Sequence, residues 1–255
     1  MNANALAAIL SAAVFAGACA ATSEPRTVIV MSGGAVKTAF TAASGAWEQA
    51  SGNKVDATFA PAGELRKKVA GGERADILIV PSENLPEYEK AGAILIATRR
   101  DLGAVAMGAA VRQGARVPDI STPEALRKTL TDVSSLTYMD PIRGTSGKYF
   151  DESVLPALGI RDAVRAKTRF GEGGFIAEKV ARGEVEIAFH QMTEMLPVPG
   201  VTIVGPLPAA LQKTTVYSGV VMSGAKNPRH AQQLLDYLAS PAGRKAFLDR
   251  GFTAP

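Results

Sequence analysis

The sequence predicts an α/β fold of parallel sheets covered by helices, and three observations lead there. Strand-like and helix-like segments alternate from residue 27 to the end of the chain, the rhythm that lays helices over the faces of a parallel sheet. Five strand-like segments end in a turn rich in small or polar residues that feeds a helix. Helix starts are marked by Ser121-Thr122-Pro123-Glu124, a capping box with an early proline, and by Ser240-Pro241.

Taken in order, residues 27–32 form a short apolar strand. Val36, Phe40, Ala43 and Trp47 then recur at helical spacing and define one apolar face. Residues 54–60 alternate as a strand, and 63–70 form a helix stopped by Gly71-Gly72. A buried strand is predicted at 75–80, a helix at 85–90, and two separate strands at 94–98 and 104–112. After the capped helix at 121 come strand 135–140, helix 148–158, strand 167–170, helix 175–182 and strand 185–190. Strands at 201–204 and 214–222 precede two closing helices, 228–239 and 241–250.

Composition places the chain among ordinary globular proteins: 255 residues, 47% hydrophobic, 20% charged, with Gly 25 and Pro 15. The formal net charge of +4 is mild and the basic residues are scattered, which gives no nucleic-acid footprint. Residues 1–21 read as a secretory signal peptide with an apolar run from 6 to 19, although Met1-Asn2-Ala3-Asn4 lacks the usual basic residue. Cys19 is the single cysteine; its setting, Ala16-Gly17-Ala18-Cys19, allows lipid anchoring or simple removal with the signal. The mature chain has no disulfide and no thiol chemistry. No phosphate-binding Gly-x-x-x-x-Gly-Lys and no Gly-x-Ser-x-Gly elbow is present, so nucleotide chemistry and Ser-His-Asp hydrolysis lack support. His190 and His230 have no partner ligands at usable spacing, and neither a metal nor any other cofactor is expected.

The five turns are Ser32-Gly33-Gly34-Ala35, Pro61-Ala62-Gly63-Glu64, Arg143-Gly144-Thr145-Ser146-Gly147, Gly171-Glu172-Gly173-Gly174 and His190-Gln191-Met192-Thr193. In such folds the carboxyl ends of strands face the ligand crevice. Helix starts there present unpaired backbone N–H groups and a partial positive charge. One such turn is weak, because a glycine that merely closes a loop is commoner; five together point to a small, negatively charged guest.

These turns, in this order, resemble the molybdate-binding family of periplasmic solute-binding proteins, over residues 27–253. The likeness includes Phe59-Ala60-Pro61-Ala62-Gly63-Glu64-Leu65, Ala75-Asp76-Ile77-Leu78-Ile79-Val80, Asp140-Pro141 with Ser146-Gly147, Tyr237-Leu238-Ala239-Ser240-Pro241-Ala242-Gly243 and Arg250-Gly251-Phe252-Thr253. The resemblance implies a two-lobed type II binding-protein fold, each lobe a mixed sheet flanked by helices, with a cleft between lobes, one lobe formed by 26–107 plus 216–255 and the other by 108–215. It further implies a monomeric periplasmic protein that holds a small anion and hands it to an ABC transporter permease. It also implies departures. Ala35 and Ala62 stand where the family has oxyanion-binding serines, Gln191 stands for its tyrosine, and Gly173 for a valine. Losing both hydroxyl donors weakens the case for molybdate.

Arg143 enters the third loop, and arginine's planar fork suits a carboxylate. A roomier cleft with an arginine suggests an organic di- or tricarboxylate. The candidate ligand contacts are Ser32, Gly33, Gly34, Ala62, Gly63, Arg66, Arg143, Thr145, Ser146, Gly173 and Gln191. Arg66, Lys37 and Lys148 lie one turn inside the cleft-facing helices, where a solvated side chain, the usual state of long charged residues, is the favoured reading. The resemblance reaches divergent members that interconvert trans- and cis-aconitate without a cofactor. His190, at the end of an apolar strand, is the first candidate base for such proton transfer, with Glu172 and Tyr149 behind it. Their plainer roles are a hydrogen-bonded structural histidine, a solvated loop charge and a core aromatic. A sensor domain that reports ligand state to another protein is a third class compatible with the same features.

Overall fold

The computed structural model describes residues 26–255; the expected signal peptide and Cys19 lie outside them. The first part of the chain forms β1 (Thr27–Gly33), α1 (Lys37–Ser51), β2 (Lys54–Ala60), α2 (Ala62–Ala70), β3 (Ile77–Pro81), α3 (Leu85–Lys90) and the long strand β4 (Ile94–Arg112). The middle forms α4 (Pro123–Asp132), β5 (Leu136–Tyr138), α5 (Thr145–Tyr149), a π-helical turn over Phe150–Val154, α6 (Leu155–Ala157), α7 (Arg161–Arg165) and α8 (Glu178–Ala181). Then come β6 (Ile187–Gln191), α9 (Met192–Met195), β7 (Val201–Pro206), β8 (Thr214–Met222), α10 (Pro228–Ala239) and α11 (Pro241–Leu248).

Strand order across the sheet is β2-β1-β3-β8-β4-β6-β5, with β7 also on β4. β1 runs parallel to β2 and β3, whereas β8 runs antiparallel to β3 and β4. The pairing therefore mixes parallel and antiparallel strands. β4 joins the two lobes: it pairs with β8 up to Ala106 and with β6 from Met107 onward. Each lobe buries apolar residues on both faces of its sheet. In the first lobe Phe40, Trp47, Leu235, Phe247 and Phe252 cover one face, and Leu65, Leu85 and Tyr88 the other. In the second, Leu126, Tyr138, Phe150 and Phe189 form one core and Val180, Val185 and Met195 the other.

Several sequence expectations need correction. The strands expected at 94–98 and 104–112 are one 19-residue strand. Its polar stretch Thr98-Arg99-Arg100-Asp101 resembles a loop in sequence, but register shifts let the strand carry it. The segment expected as strand 167–170 only bridges β5, at Leu136–Thr168 and Met139–Gly171, because β5 is three residues long. The helix expected over 148–158 begins earlier, at Thr145, and passes through the π-helical turn. The helix expected over 175–182 shrinks to α8. α4 is capped by Thr122, whose Oγ1 accepts from the Ala125 N–H at 3.1 Å, one residue after the expected Ser121. The Ser240 cap of α11 forms as expected, its hydroxyl accepting from the Gly243 N–H at 3.3 Å.

The π-helical turn brings Asp151 under the second-lobe core. Its carboxylate is 1% exposed, accepts from the Tyr138 hydroxyl at 2.8 Å and from Arg161 Nη2 at 2.6 Å, and lies 3.4 Å from Arg165 Nε.

Candidate functional site

The carboxyl ends of β1, β2, β3 and β6 and the start of α5 converge on one cavity of about 120 Å³. A single water needs about 10–15 Å³ of such space, so the cavity suits a guest with the bulk of several waters. Its walls come from both lobes: Gly33, Gly34, Lys37, Phe59 and Ala62 from the first, Thr145, Ser146, Phe175, His190 and Glu194 from the second, with Tyr217 of β8 between. The lobes touch at the rim, where the Gly63 N–H donates to the Arg143 carbonyl at 2.8 Å. A Cβ at position 63 would come within 2.8 Å of the Ile142 carbonyl oxygen, so glycine there lets the lobes meet.

The sequence-predicted contacts divide into two groups. Gly33, Gly34, Ala62, Thr145, Ser146 and His190 line the cavity together. Ser32, Gly63, Arg66, Arg143, Glu172, Gly173, Tyr149 and Gln191 are not among its walls. The Ser32 hydroxyl is fully buried and donates to the Gly33 carbonyl at 3.1 Å. Arg66 is exposed on α2 and pairs with Glu87 at 2.9 Å. Arg143 also projects to solvent, with Nη1 3.4 Å from the Glu172 carbonyl oxygen. Glu172 itself is exposed, and Gly173 lies against Pro61. Tyr149 donates its hydroxyl to the Leu211 carbonyl at 3.1 Å. With Gln191 it lines a smaller recess behind Ser146.

Sequence reasoning missed Glu194. An acid three residues past a strand end reads as a solvated charge, yet Glu194 is 6% exposed and faces the cavity. The available signal was its spacing from His190: four residues across a strand-to-helix corner put both side chains on one wall. His190 is 3% exposed, and its Nε2 lies 3.3 Å from Glu194 Oε2. The two atoms are close, but the alignment is not that of a hydrogen bond, and Nε2 has no hydrogen-bond partner. On the other side of the ring, Nδ1 lies 3.2 Å from Ser146 Oγ, which fixes the imidazole plane. Gly34 makes room for the acid, since a Cβ there would sit 2.6 Å from Glu194 Oε1. Gly33 likewise admits Tyr217, whose Cε1 would be 3.0 Å from a Cβ. The two glycines of the first turn thus let the Glu194 and Tyr217 side chains pack against the backbone.

Burial sets the protonation of the pair. Loss of solvation raises Glu194 to about 8 and lowers His190 to about 4, because each charged form is penalised away from water. Tyr217, wholly enclosed and near Glu194, is also pushed well above the ordinary phenol range, chiefly by burial. Burial therefore favours a protonated carboxyl beside an unprotonated imidazole at neutral pH, an acid next to a base. Such a pair can take a proton from one atom of a bound molecule and return one to another.

The comparisons with known proteins agree with this architecture. A model of the bacterial extracellular solute-binding protein family matches residues 28–253. An aconitate isomerase from Pseudomonas sp is 35% identical over 230 residues, covering 88% of this chain and 87% of that protein. Among solved structures, the Azotobacter vinelandii periplasmic molybdate-binding protein superposes with a TM-score of 0.75 at 16% identity, over 89% of this chain and 99% of that one. The Mycobacterium tuberculosis sulfate-binding protein gives 0.73 at 15% identity, over 89% and 86%. The fold is that of the type II periplasmic binding proteins, and the chain belongs to the bacterial extracellular solute-binding protein family.

Proposed function

We propose that the protein binds a small polycarboxylate in the cleft and interconverts trans- and cis-aconitate there by allylic proton transfer. The observation that carries this reading is the His190–Glu194 pair, an acid and a base 3.3 Å apart on one wall of the cavity. A carrier that only holds and releases an anion gains nothing from a mobile proton beside its ligand. The relative at 35% identity, an aconitate isomerase, supports the same choice.

In this reading neutral His190 removes a proton from the methylene next to a carboxylate. The electron pair of that C–H bond becomes the new double bond, and the pair of the old one takes the Glu194 proton at the far carbon. The proton left on His190 then returns to Glu194, and the site is restored with no cofactor. Ser146 holds the imidazole in place. Glu172 and Tyr149 take no part. Export directed by residues 1–21, and lobes divided as 26–107 plus 216–255 and 108–215, belong to the same proposal.

Incubating the purified protein with trans-aconitate and following cis-aconitate by chromatography tests it. Turnover is expected; tight binding without turnover would leave solute capture for a transporter permease, the role family membership favours. The pair also predicts a pH effect on binding. Glu194 keeps its proton below about 8 and becomes an anion above, so polycarboxylate affinity should fall as pH rises through that value. Calorimetric titrations between neutral and alkaline pH read this directly, and an affinity that stays flat would contradict it.

A further inference from the structure

A polycarboxylate brings several negative charges into the cleft, and the cavity walls contain one cationic side chain among the described residues, Lys37. Its position is specific. Lys37 opens α1 just beyond the Gly33-Gly34 turn, and its Nζ stands 5.9 Å from the Phe59 ring centroid and 5.6 Å from that of Phe175. One ring belongs to β2 in the first lobe, the other to the loop before α8 in the second. The ammonium is thus framed by apolar surface from both sides of the cleft. Among the described residues it pairs with no carboxylate, whereas Arg66 is held by Glu87 and Lys213 by Glu83.

We propose that Lys37 is the charge-selecting residue of this site: its ammonium takes one carboxylate of the ligand, and the Phe59 and Phe175 rings hold it at the mouth. The proposal rests on the polycarboxylate reading above for the identity of the ligand, but not for the choice of residue. The aromatic frame favours the cation over the ring faces, and Lys37 itself is exposed, so an anion entering from solvent can reach the ammonium. The arginines that sequence alone brings forward, Arg66 and Arg143, lie outside the walls, so Lys37 meets the charge requirement in their place.

The test compares the parent protein with K37M, which keeps the aliphatic stem, and K37R, which keeps the charge. Both aconitates, citrate, sulfate and molybdate are titrated calorimetrically at low and moderate salt. For K37M an affinity loss of about 10- to 100-fold for polycarboxylates is expected, the range for a hydrogen bond to a charged group, together with a flatter salt dependence. K37R should stay within a few-fold of the parent, and the melting temperatures of the ligand-free proteins should agree. Parent-like binding by K37M would overturn the proposal, and so would an equal loss in K37R, which would assign the effect to shape. If the parent holds only an inorganic oxyanion and K37M loses it, the polycarboxylate reading fails while Lys37 stands. A parent that binds none of the five anions overturns both.

Discussion

Glu194→Gln is expected to lower turnover of trans-aconitate by about 10²–10⁴-fold, the contribution of one positioned acid or base, while ligand affinity at neutral pH stays close to that of the parent. The split follows from protonation. Burial keeps Glu194 a neutral carboxyl below about 8, and a glutamine amide has nearly the same shape and can still donate a hydrogen bond, but it has no proton to transfer. The same substitution should abolish the fall in affinity at alkaline pH, because the titrating group is gone. Steady-state kinetics and calorimetry on one preparation give all three readouts. Parent-like turnover in this variant would remove Glu194 from the chemistry; lost affinity at neutral pH would make it a binding group instead.

The largest effect expected on stability is at Asp151→Ala. Asp151 is 1% exposed and serves Tyr138, Arg161 and Arg165 at once. Truncation leaves the Tyr138 hydroxyl without its partner in the core and opens a hole beneath the π-helical turn. The two arginines are partly exposed, with side chains 39% and 44% accessible, so water compensates them and most of the cost arises at the tyrosine and the cavity. A loss of about 2–3 kcal/mol is expected, lowering the melting temperature by roughly 4–12 °C for a chain of this size. Asp151→Asn, which can still accept from Tyr138, should fall between the two. Thermal and urea melts measure the series, and an alanine variant that melts with the parent would show that the network adds nothing.

The fold was legible where local rules act alone. Apolar spacing places α1, period-two alternation places β2, and Ser240-Pro241 starts α11 where expected. It was illegible where pairing partners decide the outcome. Residues 167–170 have a strand-like pattern, but β5 beside them is too short to form a ladder. Residues 98–101 look like a loop, but pairing with β8 resumes at Arg100 after a register shift, so they stay within β4. The site divides in the same way. His190 and the turns at Gly33, Ala62 and Ser146 could be read because strand ends face the crevice in such folds. Glu194 could not, and Lys37 could be named only beside its solvated alternative, since a lone charge beside a short turn or at a helix start is usually solvated. What distinguishes them is their approach to residues distant in sequence, such as Gly34 beside Glu194 and Phe175 beside Lys37.

The placement of β8 governs how the chain reaches its native state. Ile79 pairs with Ser32 on one side but finds its other sheet partner at Gly219, and the first lobe draws Leu235, Phe247 and Phe252 from the last stretch of the sequence. Until that stretch is synthesised, the opening half lacks a central strand and much of its interior. Contacts so far apart form slowly, because ring closure of the intervening polymer must come first. The first lobe therefore closes its sheet and its core last, once the final stretch of the sequence is present, whereas the second lobe draws its strands from the middle of the chain alone.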